Sequence, residues 1–157
     1  MATQKPLVII SGQIQQLPAG DTLSAAASEV DVIALTAAAT VAALCPVYSS
    51  AAGSFDKAAA NAAGTRKVIG FAQTAINSAA SGIIQTDGIL VGTTAGWDAV
   101  AGTTGGLTAN TEYFLSATAG LISSTAASAS GNYVVKVGTA ISTTELEISI
   151  QDSILLS

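Results

Sequence analysis

A chain of 157 residues has the length of one domain, and its 50% apolar and 10% charged residues leave little ionic surface of the kind that keeps a soluble protein solitary. The net charge of −5 and the scattered Lys5, Lys57, Arg66, Lys67 and Lys136 argue against a nucleic-acid footprint, while the lack of any histidine removes the commonest general base and metal ligand. No run approaches the roughly 18 apolar residues of a membrane helix, so no spanning segment is expected.

In chain order, residues 1–23 read as an extended N-terminal arm and residues 24–157 as a single β domain. Leu7-Val8-Ile9-Ile10 is a short β-prone run, Ser11-Gly12 breaks it, and a weakly alternating stretch from Gln13 to Leu17 follows before Pro18-Ala19-Gly20-Asp21 turns the chain. Pro6, Leu7, Val8, Ile9, Ile10, Ile14 and Leu17 on such an arm need a partner. That partner is an edge strand of a neighbouring subunit or a larger surface, or the arm is a first strand packed within its own domain. The apolar run is too short for the core of a signal peptide, so synthesis in the cytosol without the usual export is expected.

Residues 29–35 look like a strand. Alanine, about a fifth of the chain, raises the question of helices. Residues 58–63 have at most the length of one helical turn, stopped by Gly64, and cannot persist without tertiary support. Leu44-Cys45-Pro46-Val47-Tyr48 and Phe55-Asp56-Lys57-Ala58 predict two strands about a turn, with Pro46 at an edge or strand entry. Cys45, the single cysteine, forms no internal disulfide and reads as a buried small hydrophobe. Arg66-Lys67 read as a solvated loop before a strand over 67–76.

Residues 82–86 form the next expected strand, and Asp87-Gly88 signals a two-residue hairpin into Ile89-Leu90-Val91. Strands are predicted over 97–100, 112–117, 120–123, 133–141 and 145–150. The small residues 118–120 would join Phe114-Leu115 to Leu121-Ile122 as a hairpin. Over 145–151 polar and apolar residues alternate strictly, placing Leu146, Ile148 and Ile150 on one face and the glutamates in solvent. The Ser/Ala-rich residues 123–131 read as an exposed loop. Ile154, Leu155 and Leu156 either close an oligomer interface or pack on the sheet. The expected class is therefore all-β: a sandwich or barrel of about ten short strands with almost no helix.

Chemistry is sparse. Cys–His and Ser–His–Asp catalysis are excluded without histidine, one thiol cannot build a zinc site, and no calcium loop occurs. The glycines at 102, 105 and 106 lead into Leu107 rather than into the lysine of a phosphate-binding loop. A hydrolase would need two carboxylates across a cleft, and Asp98 with Glu112 are candidates that no spacing brings together. No enzyme, metal or cofactor is expected. Trp97 either fills the core or stacks on a sugar.

The segment Lys5-Pro6-Leu7-Val8-Ile9-Ile10-Ser11-Gly12-Gln13-Ile14-Gln15-Gln16-Leu17-Pro18-Ala19-Gly20-Asp21-Thr22-Leu23 resembles one recurrent in tailed-bacteriophage virion proteins, including fibre and head-decoration proteins. Further along, Pro46-Val47-Tyr48, Val68-Ile69-Gly70-Phe71-Ala72, Trp97-Asp98, Gly105-Gly106-Leu107-Thr108, Glu112-Tyr113-Phe114-Leu115-Ser116 and Val137-Gly138-Thr139-Ala140 are similar to compact β domains of that class. The shortness of the chain and the lack of shaft repeats favour a capsid decoration, or cement, protein. The resemblance implies a homotrimer on the outer surface of the phage head, made in the host cytoplasm, with its arm on the major capsid protein. A tail-fibre or baseplate adaptor is the alternative, and a carbohydrate-binding module is a third.

Overall fold

Short runs of β-branched and aromatic residues, separated by Gly, Ser and Thr turns, fold as strands through most of the chain. The structure is a computed structural model that describes residues 7–10 and 13–16 by their backbone and residues 31–157 in full. In the first part, β1 (Leu7–Ile10) pairs antiparallel with β2 (Gln13–Gln16), Ile9 lying opposite Ile14. The expected Ser11-Gly12 break lies outside the described residues. The remainder of the arm, and Glu29 and Val30 of the next expected strand, lie outside the described residues.

Five strands close into a barrel in the order β3 (Val32–Ala37), β5 (Ser54–Lys57), β4 (Pro46–Ala51), β6 (Val68–Ala72), β7 (Ser81–Gln85). Closure runs through a short parallel contact of β3 with β5 and the antiparallel pairing of β7 with β3. The inward side chains, Ala37, Val47, Phe55, Ala72 and Ile84, fill the interior with Val41, Cys45 and Ile76 from the flanking loops. Pro46 starts β4, where its missing N–H costs least.

The other main sheet has the order β10 (Ile122–Ser123), β9 (Glu112–Leu115), β12 (Lys136–Ala140), β13 (Glu145–Ile148), β8 (Gly88–Val91). A two-stranded ribbon pairs β11 (Tyr133–Val134) with β14 (Ile154–Leu155). The protein is mostly β, as its composition leads one to expect, with the strands divided among a barrel and further sheets. Tyr48, Val68 and Phe71 of the barrel pack with Leu90, Tyr113, Leu115, Val137, Leu146 and Ile148 of the sheet in one shared core. Burying large side chains such as these contributes roughly 1.5–3 kcal/mol each.

Three departures from the sequence reading have clear causes. Asp87-Gly88 is not a hairpin turn: β7 already pairs on both sides within the closed barrel, so β8 finds no free edge there and crosses to pair with β13. Residues 97–100 are not a strand but belong to α1 (Thr94–Ala101), in which Trp97 and Val100 occupy one buried face. Thr93 Oγ1 caps the helix by accepting from Gly96 N at 3.0 Å, and Gly102 ends it in the left-handed region.

The third is Ala58-Ala59-Ala60, which form no helical turn. They cross buried between barrel and sheet, and their backbone bonds go elsewhere: Ala58 N donates to Pro46 O, Ala60 N to Ser116 O, and Gly120 N to Ala58 O. Long-range hydrogen bonds and close backbone approach, which only a small side chain permits, override helix propensity. Other expectations hold. Residues 118–120 join β9 to β10, with Leu115 opposite Ile122, and Leu146 and Ile148 are buried while Glu147 is exposed.

Leu44 has φ of 62°, costly for a branched residue, and the kink sends its side chain into the shared core while Cys45 beside it enters the barrel. At the base of this core sits Trp97, fully buried, its Nε1 donating to Thr144 O at 2.9 Å. Trp97→Ala should therefore cost about 3–5 kcal/mol in urea unfolding followed by far-UV circular dichroism; a loss below about 1 kcal/mol, the scale of an ordinary surface change, would contradict the core role.

Candidate functional site

The carboxylates are the side chains to account for first. Asp98, on the last turns of α1, accepts from Gly106 N at 2.8 Å, Gly105 N at 3.1 Å and Thr103 Oγ1 at 3.0 Å. The Gly106 N–H foremost, then the Gly105 N–H and the Thr103 hydroxyl, hold its carboxyl below the usual value of 3.8 against a smaller opposing desolvation. The loop needs glycine at 106, where φ is +91° and a Cβ would collide with the Thr143 carbonyl. Asp98 is thus a clamp that folds residues 102–106 back onto the helix.

Glu112, the other half of the hydrolytic pair considered above, instead accepts from Lys136 Nζ at 2.7 Å. Such a partly exposed pair contributes little, roughly 0–1 kcal/mol. Glu145 accepts from Ser142 Oγ at 3.0 Å, Asp56 from Lys57 N at 2.7 Å and Asp87 from Gly88 N at 2.7 Å. Among the described residues no three His, Cys, Asp or Glu side chains gather as a metal site would require. Trp97 is enclosed and cannot stack on a ligand.

Cys45 is buried in the barrel core, its Sγ directed at Gly120 O at 3.3 Å, and burial pushes the thiol up to about 12. It is a packing residue. Arg66 and Lys67 lie in a loop before β6, as expected, and Lys67 is exposed, but Arg66 is half-buried: its guanidinium lies 4.2 Å from the centre of the Tyr133 ring and its Nε donates to Ser153 Oγ at 2.7 Å. Arg66 thereby ties the entry of β6 to the C-terminal segment.

Apolar surface and concavities are also open to solvent. Val32, Ile83 and Val91 are 48%, 48% and 65% exposed, and Ile154 and Leu155 are 64% and 57% exposed. The tail residues therefore lie outside the core. Their strand is held by β11, and Leu156, half-buried, exchanges backbone hydrogen bonds with Gly131 and Asn132. Of the arm residues, Leu7, Val8, Ile9 and Ile10 lie on β1 and Ile14 on β2, whereas Pro6 and Leu17 lie outside the described residues.

Two concavities are of most interest. One, of about 590 Å³, lies between barrel and α1 and is lined mainly by alanine and glycine with Cys45 and Lys57. The other, of about 430 Å³, runs beside β8 and is lined by Val32, Gln73, Gln85, Ile89, Leu90 and Val91. In its floor Gln85 is buried, donating to Asp87 O at 3.0 Å and accepting from Gln73 Nε2 at 3.1 Å. The β8 edge was missed in the sequence because the Asp87-Gly88 signal assigns β8 the wrong neighbour.

Two measurements follow from the titrating groups. Asp98 has a depressed carboxyl in the folded state, so its contribution is present above the ordinary aspartate value of 3.8 and is lost as pH falls below it through the folded value. Asp98→Asn should lower the urea midpoint at neutral pH, and the gap to the parent should narrow under acid; a gap independent of pH would refute the clamp. Cys45 is raised in the folded state, so its contribution is complete below the ordinary thiol value of 9.0 and declines as pH climbs toward about 12. Native protein at neutral pH should resist a thiol reagent that labels it stoichiometrically in denaturant, and equal labelling rates in both states would contradict the burial. Comparison with known proteins finds no family model and no curated sequence that matches the chain.

Proposed function

We propose that the protein is a capsid decoration protein, a non-catalytic component that attaches to the outside of a phage head and stabilises the expanded shell. The observation that carries this reading is the combination of an internally satisfied polar inventory with apolar side chains left on the surface. Among the described residues every buried side-chain polar atom has a partner, Asp56, Asp87, Asp98, Glu112 and Glu145 are engaged in local hydrogen bonds or an ion pair, and large aliphatic side chains remain exposed. Such patches on a low-charge chain mark contact with other macromolecules. The resemblance of the N-terminal segment to those of phage virion proteins directs the choice of partner to the major capsid protein, and the paired strands β1 and β2 supply an apolar strand for that contact.

The mechanism is mass action. A ligand that binds only the assembled, expanded lattice stabilises it by RT ln(1 + [L]/Kd), so many weak contacts suffice without any reaction. Self-association, as a homotrimer in the resemblance, multiplies the effect by tethering several contacts to one unit.

Deleting residues 1–20 should abolish or sharply reduce occupancy on capsids lacking the protein, while circular dichroism shows the β domain still folded. Undiminished occupancy would remove the arm from the mechanism. Localising labelled protein on intact virions by electron microscopy separates head from tail, and density confined to the tail would favour a fibre or baseplate adaptor.

A further inference from the structure

The five-stranded sheet ends on two edges of unlike character. β10 is a two-residue edge, too short to template further pairing, whereas β8 is a four-residue edge of sequence Gly-Ile-Leu-Val. Natural sheets usually blunt such an edge with lysine, proline, a bulge or a covering segment. β8 contains no proline and no charge, and its register with β13 is continuous from Gly88–Ile148 to Val91–Glu145. Ile89 and Val91 point away from the core and are exposed, and the 430 Å³ groove runs beside them to Val32 of the barrel.

Among the described residues, charge around this edge has one sign. Glu147 lies opposite Ile89 and Glu145 opposite Val91 on the neighbouring strand, and Asp87 immediately precedes β8. Asp31 is placed nearby by its carbonyl, which accepts from both Thr86 N and Thr86 Oγ1. No lysine or arginine occurs on β3, β7, β8 or β13. A second copy presenting the same edge would bring like charges together, which costs free energy and disfavours self-pairing.

We infer that β8 is a strand-docking edge for a partner polypeptide: an extended segment with alternate apolar residues and lysine or arginine at its ends, added to the sheet by backbone hydrogen bonds. Alternate side chains of the added strand enter the groove beside Ile89, Val91 and Val32, and its basic ends meet Glu145, Glu147 and Asp87. This is the recognition mode in which main-chain bonds give affinity and pockets at every second residue give selectivity. Docking at this edge does not require the partner to belong to a capsid.

The test uses the full chain, isotopically labelled for amide NMR, and the capped peptide Lys-Thr-Val-Thr-Val-Thr-Lys at low salt. Shifts should concentrate on Gly88, Ile89, Leu90 and Val91 and on Val32, and added salt should weaken binding. Glutamate in place of both peptide lysines, or N-methylation of alternate peptide amides, should weaken binding by roughly tenfold or more. Val91→Lys should abolish it, and Glu147→Lys, which spares the apolar rim, should weaken it separately; both positions are exposed, and retained amide dispersion confirms folding. Absence of shifts on β8, equal binding of the glutamate peptide, or a concentration-dependent self-association in sedimentation that Val91→Lys abolishes would each overturn the proposal, the last by making a second copy the occupant.

Discussion

Closure of the small barrel is the constraint from which the rest of the architecture follows. Five strands wrapped round Phe55, Val47 and Ile84 pair on both sides, so no strand that comes later in the chain can join them. β8 is expelled from what sequence makes its natural hairpin and becomes the border of a second sheet. That sheet buries one face against the outer side of β4 and β6, where Tyr48, Val68 and Phe71 project. Barrel and sheet are therefore joined by a core that neither could complete alone.

The abundance of alanine acquires a physical meaning in this frame. Ala58-Ala59-Ala60 run where barrel, β9–β10 connection and the start of β11 converge, and the backbone of this crossing is bonded to Pro46, Ser116, Gly120 and Tyr133. A larger side chain would push these backbones beyond hydrogen-bonding reach. The same closeness recurs at Gly120, where an added Cβ would lie 2.6 Å from Cys45 Sγ. A thin complement of aromatic residues suffices because small residues bring the layers together around the few large ones, Trp97, Tyr113, Phe55 and Phe71.

Local pattern made much of the fold legible. The alternation around Leu146 and Ile148, the turn between β4 and β5 and the small link between β9 and β10 are all short-range signals, and each appears in the structure. The failures share one cause, since pairing partners are a property of the whole topology. Asp87-Gly88 has the composition of a hairpin turn, yet its neighbours are taken. The helix was available in principle: Trp97, Val100 and Ala101 have helical spacing between a Thr cap and Gly102, but the surrounding strand rhythm masked it. Of the candidate surfaces, the tail residues were found by their hydrophobicity alone, while the β8 edge needed the sheet order. The loop at Arg66 is legible, but its side-chain partners, Tyr133 and Ser153, come from the distant end of the sequence and are not.

The crossing at Ala58-Ala59-Ala60 also bears on how the molecule comes into being. Three of its hydrogen-bond partners, Ser116, Gly120 and Tyr133, belong to the second half of the chain, so the crossing cannot be fixed until the chain has been synthesised past Tyr133. Acquiring such distant partners is slow for a β topology, because the entropy of closing large loops must be overcome before any contact rewards it. Once locked, the barrel and the sheet share one core and these backbone bonds, so loss of either removes packing surface from the other.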